Sequence, residues 1–260
     1  MDIIIASTSL GSMGHCSPNG PQNIMAALRE YYDETAQEQE IECTEDNFEL
    51  NNLNIYQFFE KQDKPFIAIG GDHSITYHIF KAQQEKRRKE GKDDMGLVIF
   101  DAHADLMDTF TPPTHEDYLR VLIEEGLVDP QKIVIIGLRN IHSIEYAYLK
   151  KKAIKHYPPE LIEKEGFQNY TDTITEIITS WKSDFYISFD IDAIDPSAAP
   201  GTGYAEPGGL SSREAITMLE RLKRSKRFTS ADIVEVNPQL DINGKTAWLG
   251  AKLLYELAYR

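Results

Sequence analysis

Four apolar residues lead directly into three potential metal ligands in the stretch Leu97-Val98-Ile99-Phe100-Asp101-Ala102-His103-Ala104-Asp105. The apolar run is typical of a strand that is buried on both faces, as in a parallel sheet. In an extended chain alternate side chains share a face, so Asp101, His103 and Asp105 are expected to point the same way. Three ionisable groups on one face repel one another unless a cation lies among them. The stretch therefore predicts a central strand with a metal site at its carboxyl end; the plainer interpretation is a polar loop after a core strand.

Two further apolar runs end in the same kinds of side chain. Phe185 to Phe189 leads into Asp190-Ile191-Asp192, and Phe66 to Ile69 leads into Gly70-Gly71-Asp72-His73. Because parallel strands end at one edge of a sheet, we expect these groups to converge. The expected ligands are His73, Asp101, His103, Asp105, Asp190 and Asp192.

This ligand set contains four carboxylates, two imidazoles and no thiolate. Oxygen-rich ligands with some imidazole suit Mn²⁺ better than Zn²⁺ or iron, and four carboxylates balance the charge of two divalent ions. Two such ions ~3.5–4 Å apart can share one water and lower its pKa toward neutrality, which suits attack on a planar, unreactive carbon. Glu235 lies at the end of another predicted strand, outside this set. If the substrate is cationic, its carboxylate is the expected partner, since a carboxylate can bind a guanidinium with two hydrogen bonds.

Composition excludes several classes of protein. A length of 260 residues with 41% hydrophobic content predicts one domain over residues 1–260 with a sizeable core. The net charge of −15 argues against a nucleic-acid partner. Two cysteines are too few for a disulfide scaffold and fit a cytoplasmic location. No apolar run approaches the ~20 residues of a membrane span, and the amino terminus lacks the basic segment of a signal peptide.

Predicted strands alternate with predicted helices, so we expect an α/β fold: a three-layer αβα sandwich with a mainly parallel sheet. Strands are predicted over residues 3–6, 66–69, 97–100, 132–136, 154–157, 185–189 and 231–236. Helices are predicted from residue 21, over 74–90, 115–125 and 174–181, from 211, and over 247–259. The loop over 7–20 follows the first strand and is expected either to border the site or to be a plain connection. The acidic segment over 33–54 is expected to lie on the surface, with one short strand or turn near Ile41.

Three motifs resemble the signatures of the ureohydrolases, the family of arginase and agmatinase. They are Gly70-Gly71-Asp72-His73-Ser74, Asp101-Ala102-His103-Ala104-Asp105 and Ser188-Phe189-Asp190-Ile191-Asp192-Ala193-Ile194-Asp195-Pro196. Glu206-Pro207-Gly208-Gly209-Leu210 and Glu235-Val236-Asn237-Pro238 also resemble this family. The resemblance covers about residues 65 to 260 in the family's order. It implies an arginase-like fold and a Mn²⁺-dependent hydrolase that releases urea and an amine from a guanidino compound.

The resemblance also implies roles for individual residues. One Mn²⁺ would be held by His73, Asp101, Asp105 and Asp190, and a second by Asp101, His103, Asp190 and Asp192. Glu235 resembles the guanidinium-binding glutamate and His115 the proton-shuttling histidine; together with Asp105 they form the expected catalytic set. Glu116 replaces the glycine that usually follows this histidine, so His115 is alternatively a surface residue at a helix start.

The residues expected to bind the rest of the substrate are His142, Glu145 and Tyr204, beside Glu235. Gly137-Leu138-Arg139-Asn140 and Glu145 resemble the segment that holds the amino-acid end of the substrate in arginases. His142, however, stands where arginases carry an acid, which speaks against an ordinary arginase, and the 206–210 and 115–128 segments look more like agmatinases. Tyr204 stands where the family usually has a small residue, so the particular guanidino substrate, agmatine included, stays open.

Three other functions stay open: a formimidoyl-group hydrolase of the same family, a dimetal phosphoesterase, and a non-catalytic family member. Gly-Asp-x-His patterns occur in phosphoesterases, but the Asn-His pair that bridges their metals has no counterpart here. The intact ligand set argues against a non-catalytic protein. The expected partners are a small guanidino substrate and further copies of this chain in a homo-oligomer, with neither nucleic acid nor membrane.

Overall fold

The computed structural model describes residues 1–12, 14–32 and 38–259, and its described part is built on an eight-stranded sheet. Every pairing between neighbouring strands is parallel. The strands are β1 Asp2–Ala6, β2 Glu38–Glu40, β3 Phe66–Gly70, β4 Gly96–Phe100, β5 Ile133–Ile136, β6 Lys155–Tyr157, β7 Phe185–Asp190 and β8 Phe228–Val234. Their order across the sheet is β2-β1-β3-β8-β7-β4-β5-β6.

Helices cover both faces of the sheet. The described residues contain α1 Gly20–Tyr32, α2 Phe48–Lys61, α3 Ile75–Lys89, α4 Tyr118–Glu124, α5 Ser143–Lys152, α6 Glu160–Glu165, α7 Phe167–Ser180, α8 Ser212–Lys223 and α9 Lys245–Ala258. One apolar cluster joins one sheet face to α1, α7, α8 and α9, and a second joins the other face to α2, α3, α4 and α5. The predicted three-layer αβα fold is therefore confirmed. Every helix among the described residues is too short or too polar to cross a bilayer.

The central strand β4 shows why this sequence folds into layers. Val98 and Phe100 belong to one apolar cluster, whereas Leu97 and Ile99 belong to the other. All four side chains are buried. Burying an apolar side chain of this size contributes ~1.5–3 kcal/mol relative to leaving it exposed. A strand that is apolar at every position is therefore stable only between two layers of helices.

The segment predicted to lie on the surface differs from the expectation. The short strand expected near Ile41 is confirmed as β2, which pairs with the edge of β1, while residues 33–37 lie outside the described residues. The helix α2, however, begins at Phe48 inside this segment, with Asn47 as its amino-terminal cap. Ile55 and Phe59 are buried against the sheet layer. Buried polar residues on the same helix, Asn51 among them, obscure its apolar periodicity in the sequence.

Other elements also differ from the sequence prediction, and α7 begins at Phe167 rather than at residue 174. The helix predicted from residue 115 begins at Tyr118, which leaves three residues before it in a loop. The strand predicted to reach residue 236 ends at Val234. The helix α6 was not predicted, because none of its residues is buried and its sequence carries no apolar stripe.

The sheet order brings four strand ends together. The chain runs outward from β1 to β2 at one edge and from β4 through β5 to β6 at the other, and later inserts β7 and β8 into the centre. As a result β3, β8, β7 and β4 are adjacent, and their carboxyl ends lie side by side. The predicted ligands follow three of these strands and Glu235 follows the fourth. The topology therefore places all of them at one edge of the sheet.

Candidate metal centre

His73 is the centre of the first group of potential ligands. Its Nδ1 atom lies 3.1 Å from an oxygen of Asp101 and 3.1 Å from an oxygen of Asp105. The same nitrogen lies 3.3 Å from an oxygen of Asp190. The imidazole and the three carboxylates are buried. Residues that follow three different strands thus converge on one ring nitrogen, as predicted.

His103 is the centre of the second group. Its Nδ1 atom lies 3.0 Å from Asp192 Oδ2 and 3.5 Å from Asp101 Oδ1. The two oxygens of Asp101 therefore face different imidazoles, and this aspartate joins the two groups. The other ring nitrogen of His103 lies 3.8 Å from a carboxylate oxygen of Glu206. Ligand atoms that could hold one ion are present in each group.

The backbone brings these side chains together by a route that differs from the prediction. The chain is not extended after β4, because it bends at residues 102 and 103. Asp105 adopts a left-handed conformation with φ of 50°, which is uncommon for a residue other than glycine. The Asp101 carboxylate accepts a hydrogen bond from the His103 N–H at 2.6 Å, and Asp192 accepts one from Ala102 at 3.0 Å. The prediction of convergence is confirmed, but its explanation by strand alternation is wrong.

The hydrogen bonds of His73 involve its Nε2 atom and leave Nδ1 free to bind a cation. Its Nε2 atom lies 2.8 Å from the hydroxyl of Ser188 and 3.1 Å from that of Tyr118. Ser188 donates its own proton to Asp232 at 2.7 Å, so its oxygen can accept from the Nε2–H of His73. This tautomer directs the lone pair of Nδ1 at carboxylate oxygens, and Nδ1 is buried without a hydrogen-bond partner. Such an arrangement is repulsive unless a cation or a proton lies between these atoms. Although burial opposes the charged form, the contacts with Tyr118 and the three carboxylates raise the pKa of His73 well above its usual range, so without metal a proton on Nδ1 takes the place of the cation.

The pKa values of the carboxylates in the cluster also indicate that a cation would stabilise their charged forms. Burial, together with the charges of Asp192 and Asp101, raises the pKa of Asp190 well above its usual range. Burial and Asp101 likewise raise the pKa of Asp105 to about 8 and also raise the pKa of Asp192. Asp101 shifts the other way, because its contacts with the two imidazoles outweigh burial and lower its pKa. A divalent cation would replace the protons that the other carboxylates otherwise take up, so the donor set fits a bound metal.

Glu235 lies beside these ligands as a separate buried acid. It follows β8 in a left-handed conformation with φ of 68°. One carboxylate oxygen accepts a hydrogen bond from the His73 N–H at 2.7 Å, and the other accepts one from the thiol of Cys16. Although burial opposes the charged form, contact with His115 lowers the pKa of Glu235. The carboxylate is therefore held in place and negatively charged.

Cys16 was not among the residues predicted for the site. It lies in the loop over 7–20, which does border the site. Burial and the charge of Glu235 raise the pKa of its thiol, which therefore stays protonated and donates to the carboxylate. Cys16, His115 and Glu235 also offer three ligand atoms within 4.8 Å of one another. The glycine-rich loop at a strand's carboxyl end was the available signal, but it did not single out this cysteine.

His115 lies inside the site, and its alternative placement on the surface is wrong. The residue is buried in the loop before α4. Its Nδ1 atom lies 3.7 Å from a carboxylate oxygen of Glu235. Its ring is stacked on that of Tyr204 with the centroids 6.0 Å apart. Although burial disfavours the charged form, the contact with Glu235 raises the pKa of His115 to about 9.

A cavity of about 380 Å³ opens over these groups. Every predicted site residue lines it except Asp101, which lies beneath its neighbours. The lining residues are His73, His103, Asp105, Met107, His115, Glu116, Asn140, Ile141, His142, Glu145, Asp190, Asp192, Tyr204 and Glu235. The side chains predicted to bind the rest of the substrate therefore share one cavity with the candidate metal ligands.

Two of these lining residues have structural hydrogen bonds of their own. His142 caps α5 by accepting a hydrogen bond from the N–H of Ile144 at 3.3 Å. Glu145 completes this capping box by accepting the N–H of His142 at 2.9 Å, and its other oxygen accepts the N–H of Leu106 at 3.1 Å. The carboxylate of Glu145 is thus fixed by the backbone on both sides. Tyr204 packs against His103 as well as His115, so it forms a wall of the cavity.

The fold and this site together define an α/β protein with a candidate binuclear metal centre. The chain belongs to the arginase family, whose model matches residues 6–259. It is 36% identical to a guanidinopropionase from Pseudomonas aeruginosa over 196 residues, which make up 74% of this chain and 59% of that protein. It is 34% identical to an arginase from Staphylococcus aureus over 195 residues, which make up 70% of this chain and 63% of that protein. The chain thus spans about six tenths of the length of these curated relatives.

Solved structures show the same fold. The structure of formimidoylglutamase from Bacillus subtilis has a TM-score of 0.89 and 23% identity, and the match covers 98% of this chain and 85% of that one. At this level of identity the likeness shows the fold alone. The expectation of an arginase-like α/β architecture is therefore confirmed, and family membership rests on the sequence matches.

Proposed function

We propose that this protein is a binuclear manganese hydrolase that cleaves a guanidino compound to urea and an amine. One observation carries the proposal: the unpartnered Nδ1 of His73 faces three carboxylates, and the separate, charged Glu235 borders the same cavity. A site that needs cations on one side and offers a carboxylate on the other suits a guanidinium substrate. Membership of the arginase family favours this activity over phosphoester hydrolysis.

Two Mn²⁺ ions fit the donor set. His73, Asp101, Asp105 and Asp190 would hold one ion, and Asp101, His103, Asp190 and Asp192 would hold the other. Carboxylate oxygens with one imidazole at each position suit Mn²⁺, whereas sites rich in thiolate or imidazole suit Zn²⁺. When bound, such ions supply a water of lowered pKa and positive charge for the developing transition state.

Glu235 would bind and orient the guanidinium. Each carboxylate oxygen already accepts one hydrogen bond, from His73 N–H or from Cys16, and has a second lone pair free for the substrate. A bidentate carboxylate–guanidinium pair fixes the plane of the substrate as well as its position. Because Glu235 is buried, the pair is less screened by solvent than it would be on the surface. The target carbon is therefore held in one orientation over the cluster.

His115 would move the proton that the departing amine requires. Its imidazole lies beside Glu235, lines the cavity and stacks on Tyr204, so it is held at the edge of the substrate position. A general acid must lie within hydrogen-bond reach of the leaving group or one water away from it. His115 meets this requirement for a guanidinium that is seated on Glu235.

A panel of guanidino compounds tests the proposal. Protein stripped of metal by a chelator should release no urea, and Mn²⁺ should restore activity better than Mg²⁺, because imidazole ligands disfavour Mg²⁺. Metal analysis of the active protein should find two ions per chain. Full activity in stripped protein, or formamide release from a formimidoyl compound without urea release from any guanidine, would contradict it. The cytoplasmic location and the homo-oligomer stay predictions.

A further inference from the structure

Cys16, His115 and Glu235 form a group of potential ligands beside the binuclear centre. All three are buried, and a thiol sulfur, an imidazole nitrogen and a carboxylate oxygen lie within 4.8 Å of one another. His115 and Glu235 also line the cavity, so an ion can reach them. We propose that this group is a third metal site, which binds a thiophilic divalent ion such as Zn²⁺ and inhibits the protein when occupied. The inhibition rests on the proposed function, whereas the metal site itself does not.

The chemistry of the three side chains suits Zn²⁺ rather than Mn²⁺. Three protein ligands of these kinds, with a fourth position left for water, are typical of an open zinc site. Soft thiolate ligands favour Zn²⁺, whereas the two groups around His73 and His103 offer oxygen and nitrogen ligands only. We therefore expect the two kinds of ion at different places in one cavity.

The distances in this group fit one tetrahedral ion after a small adjustment. Bonds of ~2.0–2.3 Å to a single Zn²⁺ place its ligand atoms about 3.5 Å apart. Nδ1 of His115 lies 3.7 Å from Oε1 of Glu235, and Sγ of Cys16 contacts Oε2 of the same carboxylate. The contact between thiol and carboxylate is a hydrogen bond, so it would lengthen when an ion replaces its proton.

Glu116 supports His115 as a ligand from the other edge of the imidazole. Nε2 of His115 lies 3.9 Å from Oε1 of Glu116, whereas Nδ1 faces Glu235. The side chain of Glu116 is 50% exposed, so it can rotate into hydrogen-bond range. A histidine that binds a metal usually donates its second N–H to a carboxylate, which directs the remaining lone pair at the ion. This observation is independent of the thiol and points to the same site.

Exchange of protons for zinc would leave the net charge of the group unchanged. Without zinc the raised pKa values of Cys16 and His115 keep the thiol neutral and the imidazole cationic, while Glu235 is negative. Zn²⁺ would bind the thiolate, the carboxylate and the neutral imidazole, and would release one proton from sulfur and one from nitrogen. The entering double charge balances the two protons that leave, so no uncompensated charge is buried. Competition with these protons weakens binding but does not prevent it.

An ion in this group would exclude a guanidinium from Glu235. The proposed substrate uses the free lone pairs of the same carboxylate, whose oxygens already accept hydrogen bonds from His73 N–H and Cys16. Zinc would also occupy Nδ1 of His115, the residue proposed to move a proton. Zn²⁺ should therefore compete with the guanidino substrate while Mn²⁺ stays bound.

Co²⁺ serves as a spectroscopic probe in place of Zn²⁺. Bound to a thiolate, Co²⁺ gives an intense near-ultraviolet charge-transfer band that oxygen and nitrogen ligands do not give. We expect this band when Mn²⁺-loaded protein is titrated with Co²⁺. Cys43→Ser removes the other cysteine of the chain and should keep the band, whereas Cys16→Ser should lose it. The absence of a band in the wild type, or a band that persists in Cys16→Ser, would overturn the proposal.

Zinc inhibition tests the same site by activity. Relative to each protein's own zinc-free rate, the inhibition constant should be at least about tenfold higher in Cys16→Ser than in Cys43→Ser, since even residues behind metal ligands change affinity by ~10–100-fold. Equal constants would show that Zn²⁺ inhibits by displacing Mn²⁺, which would overturn the proposal.

A measurement on the unaltered protein does not depend on how the variants fold. Millimolar guanidinium ion should weaken the cobalt band, because it competes for Glu235. A band that guanidinium leaves unchanged would overturn the exclusion of substrate by metal. If no guanidine releases urea, the proposed function fails, while the cobalt band still decides whether the metal site exists.

Discussion

Two kinds of buried acid lie a few residues apart on the central strands, and their surroundings differ. Asp232, within β8, accepts hydrogen bonds from the hydroxyls of Thr76 and Tyr186 at 2.9 Å each and of Ser188 at 2.7 Å. Burial still raises its pKa, but these hydroxyls oppose the shift. Asp232 therefore has the donors that a buried carboxylate requires.

Asp190, at the end of β7, is surrounded differently. Its neighbours include two further carboxylates, Asp192 and Asp101, which raise its pKa together with burial. One of its oxygens accepts the N–H of Asp192 at 2.7 Å, while the other faces Nδ1 of His73. Burial of an acid alone does not indicate a ligand site, since Asp232 is buried as deeply. Buried acids that face one another around an unpartnered imidazole do indicate one.

The largest effect that distinguishes the two acids is expected for Asp190→Asn. The variant should lose bound Mn²⁺, and urea release should fall by more than about a hundredfold, since even residues behind metal ligands change affinity by ~10–100-fold. The metal-free variant should be about as stable as the metal-free wild type, because the raised pKa of Asp190 favours its neutral form without metal, and asparagine resembles that form. Asp232→Asn should instead destabilise the metal-free protein by ~1–3 kcal/mol. Urea denaturation and metal analysis of both variants measure these effects, and equal destabilisation would remove the distinction.

Glu235 is a third buried acid, and we expect it to bind substrate rather than metal. Glu235→Gln keeps the size and an acceptor for the His73 N–H but removes the charge that pairs with a guanidinium. A charge-assisted hydrogen bond is worth ~1.5–3 kcal/mol, and orientation is lost as well, so kcat/KM should fall about a hundredfold or more. Both metals should stay bound.

Cys16 provides the companion variant for this experiment. Cys16→Ser keeps a donor to Glu235, so its kcat/KM should stay within a few fold of the wild type. Metal analysis, melting temperature and urea release should be measured on the same preparations. Loss of metal in Glu235→Gln would show that this residue belongs to the ligand set. Unchanged turnover with a lower melting temperature would show that its role is structural.

Ser188 links the two kinds of acid and should have a smaller effect. Its hydroxyl donates to Asp232 and lies 2.8 Å from Nε2 of His73, which fixes the tautomer and the orientation of the imidazole. Ser188→Ala should therefore weaken Mn²⁺ binding by ~10–100-fold. Excess Mn²⁺ should restore turnover. Ser180→Ala removes an exposed hydroxyl of α7 and should leave the affinity unchanged; equal affinities in the two variants would show that Ser188 does not position His73.

The sequence predicts the parts of this site that follow from strand patterns. Apolar runs ending in aspartate or histidine identify β3, β4 and β7, and parallel pairing brings their ends together. The bend after β4 could not be predicted in this way, because the left-handed conformation of Asp105 depends on its surroundings rather than on alternation. Strand patterns therefore predict which side chains meet but not the backbone path by which they do so.

Most of the other features that the sequence does not predict depend on contacts between residues that are far apart in the chain. Cys16 and Glu235 are 219 residues apart, and no local pattern relates them. Glu145 was predicted to bind substrate, and the structure adds two backbone hydrogen bonds that occupy its carboxylate. The buried amide of Asn51 contacts Thr8 from another element, so the apolar pattern of α2 is interrupted by a residue that packing requires. Each of these features depends on the assembled layers.

The last prediction concerns His78, a buried histidine on α3, the helix that follows His73. Its Nε2 atom is buried without a hydrogen-bond partner, and its ring packs edge-on against Tyr77. Burial and the charge of Lys81 lower its pKa to about 3, whereas its pKa in the unfolded chain is about 6.5. Below about pH 6.5 the unfolded state therefore binds a proton that the folded state does not, and folding stability falls as the pH falls toward 3.

Between about pH 6 and 4 the metal-free wild type should lose roughly 2–3 kcal/mol more stability than His78→Leu, which cannot titrate there. Urea denaturation of both proteins over this range measures the difference, since every other titrating group is shared. Parallel curves would show that His78 is protonated in the folded state, and the contrast between the two histidines would then disappear.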